Sequence, residues 1–209
     1  MLLLDLDDTI FETKSIDPAV FEPAFSIISE YYQSIEPAIV IEAITSELWS
    51  KPTDVVFQKY KTPHSIVLKF YEQLERIDHK ALQIKTFEDY AVLQSIPQRK
   101  ILVTTGLRGL QIAKIKALGI ESDFEAIKID DPRLNPRQHK IDIFRQILKV
   151  TALPPETIWV IGDNPNSEIK AGRTLGMRTI QRKSSHRSSD SCADYEIESF
   201  AELTEIVKC

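Results

Sequence analysis

Hydrophobic residues along this chain fall into two alternating rhythms. Short apolar runs cover Leu2–Leu6, Lys100–Gly106 ("KILVTTG"), Ala126–Ile129, Thr157–Asp163 ("TIWVIGD"), Arg178–Arg182 and Asp194–Ile197. Consecutive apolar positions over so few residues predict strands, several of them buried on both faces. Between the runs lie amphipathic stretches, Gly109–Ile120 and Lys140–Val150, whose apolar spacing predicts helices. Strands alternating with helices predict an α/β fold, built from βαβ units around a mostly parallel sheet.

Residues 13–97 break that rhythm. The segments "FEPAFSIISEYY", "PAIVIEAITSELWS" and "TPHSIVLKFYEQL" carry helical spacing and are separated by Pro-bearing turns. A sheet interrupted after its first strand by this much helix predicts a lid or cap inserted into the core. The insert's aromatic residues, among them Tyr32, Trp49, Phe57, Phe70 and Tyr71, are expected mainly to pack its own small core. The polar, Ser-rich stretch Arg182–Cys192 is expected to be an exposed loop before the last strand.

Composition narrows the class. The 209 residues, 43% hydrophobic and 27% charged, can bury a proper core and fit a soluble globular chain. A net charge of −5 argues against a broad nucleic-acid surface. No stretch reaches the roughly 20 apolar residues of a membrane span, and Asp5 interrupts the opening run where a signal peptide would stay apolar. Cys192 and Cys209 have no CxxC or zinc-like spacing, which fits a reducing cytoplasm. The four histidines form no ligand cluster, so zinc is not expected.

Four signals sit where strands are expected to end. In "DLDDT", Asp5 and Asp7 are two apart, so an extended chain would project both toward one side, with Asp8 left to the turn. Carboxylates this close repel unless a cation or a reaction uses them. One can attack phosphorus, and the other can protonate a leaving oxygen and later deprotonate water. Alone, the segment reads equally as a solvated acidic turn. Thr104 closes "LVTT" and could hold phosphate oxygens, or simply be a β-branched strand residue. Lys140 opens a helix and could supply a point charge, with Arg133 and Arg137 of the preceding loop as competitors. Asp163 follows an apolar run and Gly162, with Glu168 five residues on. That places a metal ligand at a strand end and an acid behind it. Gly162 and Gly172 would allow close backbone approach.

In this order, DxDxT, a strand-ending Thr, a helix-starting Lys and a GD with a following acid, the chain resembles the haloacid dehalogenase superfamily of hydrolases. The resemblance covers residues 1–12 and 98–209 and implies a Rossmann-like core with helices on both faces, while residues 13–97 match a helical cap in position and size. It further implies Mg²⁺-dependent phosphoryl transfer through an aspartyl-phosphate. Asp5 would be nucleophile and metal ligand, and Asp7 the acid/base that lends its backbone carbonyl to the metal. Thr104 and Lys140 would bind the phosphoryl group, and Asp163 would complete the metal ligands. Thr105, Gly106 and Glu168 would flank substrate or ligands. Thr105 stands where relatives often carry Asn, Glu168 where Asp is commoner, and the familiar Lys-Pro pair is missing.

An acid at the second position suits an alkoxide leaving group, which needs a proton, rather than halide, which does not. The expectation is a cytoplasmic phosphatase for a small phosphomonoester, a nucleotide or sugar phosphate, acting as monomer or homodimer without nucleic acid or membrane. A phosphomutase, or a binding protein on the same scaffold, are the alternatives.

Overall fold

In a computed structural model, which describes residues 1–184 and 192–207, six strands form one sheet. Most of the loop expected over Arg182–Cys192 thus lies outside the described residues. The strands are β1 (Leu2–Leu4), β2 (Lys100–Thr105), β3 (Ala126–Asp130), β4 (Trp159–Gly162), β5 (Arg178–Arg182) and β6 (Tyr195–Ile197). Their order is β3-β2-β1-β4-β5-β6, with every neighbouring pair parallel. All six strands foreseen from the apolar runs are present.

β1 stops short of its apolar run for a local reason. The Asp5 N–H still donates to the Ile161 carbonyl at 3.0 Å, but the Leu6 carbonyl turns back to accept from Thr9 and Ile10. Leu6 is buried without being on the ladder. Asp8 takes up the left-handed turn at φ 55 and its carboxylate caps the Thr13 N–H at 2.9 Å. The strand order reverses between β1 and β4, where open parallel sheets form ligand crevices at their carboxyl ends. Asp5 and Asp163 are the residues that leave those two strands.

Between β1 and β2 the chain forms α1 (Glu22–Tyr32), α2 (Ala38–Ser50), α3 (Thr53–Lys59), α4 (His64–Glu75) and α5 (Tyr90–Ser95). Pro37, Pro52 and Pro63 each stand at the N-cap of a helix, where a missing N–H costs nothing. The end of this segment contacts the core. α5 packs with the core rather than with α1–α4: the Tyr90 hydroxyl donates to Asp123 at 2.8 Å, and Asp89 accepts from the Phe200 N–H at 2.7 Å. The Phe87 N–H likewise donates to the Ile10 carbonyl at 2.9 Å.

α6 (Arg108–Leu118), α7 (Lys140–Thr151), α8 (Lys170–Thr174) and α9 (Leu203–Ile206) complete the helices among the described residues. Strand alternation sorts them onto opposite faces. Leu2, Leu4 and Leu102 pack with α5, α6 and α9, while Leu3, Ile101, Val103 and Val160 pack with α7 and α8. No helix among the described residues is long and apolar enough to cross a membrane.

Gly172 is what lets α8 lie flat on the sheet. A Cβ there would sit 2.9 Å from Val160 Cγ2 and 3.0 Å from Thr179 Cγ2, both on stiff β-branched side chains. Gly172→Ala is therefore expected to destabilise the fold by about 1–2 kcal/mol despite the better helix propensity of Ala. Chemical denaturation of the two proteins side by side checks this, and equal midpoints would contradict the close packing.

Candidate active site

Lys140 is the first residue of α7, and its side chain is buried with only 5% of its surface exposed. A buried ammonium needs anionic partners, and it has two. Nζ lies 2.9 Å from Asp5 Oδ1 at the end of β1 and 2.7 Å from Glu168 Oε2. Glu168 sits in a short π-helical turn, Pro165–Ile169, after β4. Its other oxygen accepts from the Asn164 N–H at 2.6 Å. This carboxylate can fold back over the strand end only because Gly162 has no side chain: a Cβ there would collide with Glu168.

Asp5, Asp163 and Glu168 are all buried, and one carboxylate oxygen of each lies within 4.8 Å of the others. Three carboxylates thus crowd together, and two of them share the Lys140 ammonium. Burial pushes the Asp5 carboxyl well above the usual range; Lys140 pulls it back, and Glu168, Asp163 and Asp7 push it further up. For Lys140 burial opposes the charge, but Asp5 and Glu168 outweigh it and hold the ammonium above its ordinary range. Asp5 Oδ1 is buried and meets Lys140 Nζ at 2.9 Å. Three buried carboxylates crowded in this way fit a hard divalent cation.

Asp7 is placed differently from the alternation argument. With the strand already ended, Asp5 faces α7 while Asp7 reaches α6 on the opposite face of the sheet. Gln111 Nε2 donates to Asp7 Oδ2 at 2.8 Å, and Lys114 Nζ pairs with Oδ1 at 2.7 Å. Both carboxylates still line one cavity of about 850 Å³. Thr104 is fully buried and its hydroxyl accepts from Gln111 Nε2 at 2.5 Å. It does not line the cavity; Thr105, Gly106 and Gln111 do. Accepting from Gln111 leaves the Thr104 O–H as a donor.

The competing cations are engaged elsewhere. Arg133 forks onto Asp131 at 2.7 Å and meets Glu75 of α4 at 3.1 Å. Arg137 pairs with Asp130 at 2.6 Å and with Asp54 of α3. Of the three candidates, Lys140 alone meets Asp5. Sequence reasoning missed Gln111 and Lys114, although a signal existed: they are polar residues three apart on a helix face otherwise made of Leu110, Ala113 and Ile115.

Comparisons with known proteins agree with this architecture. The sequence profile described as haloacid dehalogenase-like hydrolase matches residues 2–181. A curated relative, the glyceraldehyde 3-phosphate phosphatase of Methanocaldococcus jannaschii, is 31% identical over 110 residues, 51% of this chain and 48% of the relative. The match thus spans about half the length of that relative. Among solved structures, a HAD phosphatase from Thermococcus onnurineus shares 21% identity at a TM-score of 0.70, over 99% of this chain and 96% of its own. A Bacillus subtilis protein whose crystal structure is bound to magnesium shares 20% identity at 0.64, over 100% and 98%. At these identities the structures speak for the fold.

The charge imbalance has a measurable consequence without any substrate. Asp5, with its folded-state value raised, keeps a proton the unfolded chain has lost, so metal-free stability falls as pH rises from the ordinary carboxylate range through the raised one. A cation that replaces the proton should reverse this. Millimolar Mg²⁺ is expected to raise the unfolding midpoint more at about pH 7.5 than at about pH 5. Asp163→Asn should remove most of the shift; an undiminished, pH-independent shift would contradict the site.

Proposed function

The chain belongs to the haloacid dehalogenase-like hydrolases, and from that premise we propose that it is a Mg²⁺-dependent phosphomonoester hydrolase for small phosphorylated metabolites. The observation that carries the proposal is the contact of Asp5 with buried Lys140, inside a cavity that Asp7 also lines. A nucleophile and a separate acid/base in one pocket are what ester cleavage with a poor leaving group needs.

Asp5 attacks phosphorus, forming an acyl-phosphate as the bond to the leaving oxygen breaks. Asp7 gives its proton to that oxygen, then takes one from the water that attacks the acyl-phosphate and frees Asp5. Lys140 holds Asp5 in line and balances charge beside the transferring group. Thr105 and Gly106 wall the phosphoryl side, while Thr104 acts through Gln111, which fixes Asp7 together with Lys114. Asp5, Asp163 and the Asp7 backbone carbonyl would hold magnesium, which offsets the repulsion between nucleophile and phosphoryl oxygens.

α1–α4 act as the cap. Phe21, Trp49, Thr53 and Asp54 of the insert line the same cavity as Asp5, Thr105 and Asp163 of the core, so the insert can keep bulk water from the intermediate. We place the core at residues 1–12 and 87–209, the second segment beginning earlier than the apolar pattern suggests because α5 packs there. The curated relative supports a phosphorylated small-molecule substrate over a halide ester.

Asp5→Asn is expected to bring phosphate release to background while the folded spectrum is kept, and surviving turnover would remove the covalent route. Asp7→Asn should slow alkyl phosphates by about 100-fold or more. It should slow p-nitrophenyl phosphate far less, since that leaving group hardly needs a proton. An equal fall for both would take the acid role from Asp7.

A further inference from the structure

The insert's rings form a continuous path of contacts. Phe57 meets Phe70 at 5.1 Å, Phe70 meets Phe25 at 6.0 Å, and Phe25 meets Trp49 at 5.3 Å. Phe21 closes the end, edge-on to Trp49 at 5.0 Å. Core packing accounts for the inner members: Phe57 and Phe70 are 4% and 2% exposed. It does not account for Trp49, which keeps 40% of its surface open. Trp49, Phe21 and Phe25 all line the cavity that holds Asp5, with Leu107 and Leu110 of the core in the same lining. A large apolar ring that lines a cavity and stays partly uncovered is a surface that a ligand can cover.

Size points the same way. At about 850 Å³ the cavity lies high in the range of small-molecule sites, roughly 300–1,000 Å³. A three-carbon phosphate with its phosphoryl group at Asp5 would leave the aromatic end unfilled and offer Trp49 nothing planar.

We infer that Trp49, with Phe21 and Phe25 behind it, is the leaving-group subsite and selects phosphomonoesters whose alcohol carries a planar ring. Nucleosides and compact aryl alcohols share that chemistry. This rests on the phosphatase reading above and departs from the triose phosphate named for the curated relative. Phosphorus chemistry stays at Asp5; the ring contributes by binding and orientation, since stacked aromatic faces are sequence-tolerant and need no hydrogen bonds.

The test compares wild type, Trp49→Leu and Trp49→Phe with Mg²⁺ on a purine and a pyrimidine nucleoside 5′-monophosphate, benzyl phosphate, glycerol 3-phosphate and glyceraldehyde 3-phosphate. Trp49→Leu is expected to lower kcat/KM for ring-bearing substrates about tenfold, mainly through KM, with Trp49→Phe recovering most of it. The aliphatic esters should change by less than about twofold, having no ring to stack. A better rate on nucleotides than on benzyl phosphate names the nucleoside as the ring's source; the reverse names a compact aryl alcohol. An equal fall on all substrates, or a wild type that prefers glyceraldehyde 3-phosphate, overturns the subsite. A binding arm keeps this separate from the reaction. In Asp5→Asn, ring-bearing phosphates should change the fluorescence of Trp49, while buried Trp159, 2% exposed, stays constant. If no substrate is turned over, that change still upholds the subsite, and its absence with every ring-bearing phosphate overturns it.

Discussion

The junction of β1, β4 and α7 at the carboxyl end of this sheet is arranged around one buried ammonium, that of Lys140. Lys140 cannot be desolvated alone, and the carboxylates that stabilise it, Asp5 and Glu168, cannot be brought together without it. The three come from the end of β1, the start of α7 and the turn after β4, so their meeting fixes how those elements join. Gly162 makes room for Glu168, and Asp163 adds a further anion beside Asp5. Three carboxylates thus stand beside one ammonium. A pocket with surplus carboxylate charge takes a hard cation readily and resists closing on itself as a structural ion pair.

A second set of charges ties the helical insert to that same region. Arg137 joins Asp130, at the end of β3, to Asp54 of α3, and Arg133 joins Asp131 to Glu75 of α4. Glu75 also accepts from the Gly109 N–H at 2.9 Å, in the first turn of α6. The loop that delivers Lys140 is therefore the loop that holds the insert. Exposed pairs of this kind are worth little individually, but these are partly buried and share partners. The insert's side of the cavity and the strand-end side are thus tied to one short segment.

Much of this was legible in the sequence, and the residues that were not share a physical reason. Apolar runs located all six strands, and the acids just beyond them, Asp5 and Asp163, line one cavity, because a charge at the end of a buried strand has few places to go. Lys140 was readable as one of three cations at a helix start; only packing could choose it. Asp5 and Asp7 line one cavity, but because β1 ends at Leu4 the period of two does not tell which helix each carboxylate meets. The Asp7 partners Gln111 and Lys114 lie a hundred positions away on a helix, beyond any local pattern. The contacts of α5 with Asp123 and Phe200 also join residues far apart in the chain, which its apolar spacing does not reveal. Trp49 shares helical spacing with rings that do pack a core, and exposure alone separates it from them.

The most direct measurement is to quench a reaction with acid during turnover, digest the protein, and weigh the peptide that begins at Met1. A phosphoryl group on Asp5, absent when Asp5 is replaced by Asn and gone once substrate is exhausted, is the predicted result. Steady phosphate release with no adduct on that peptide, or with the adduct on another residue, would contradict it.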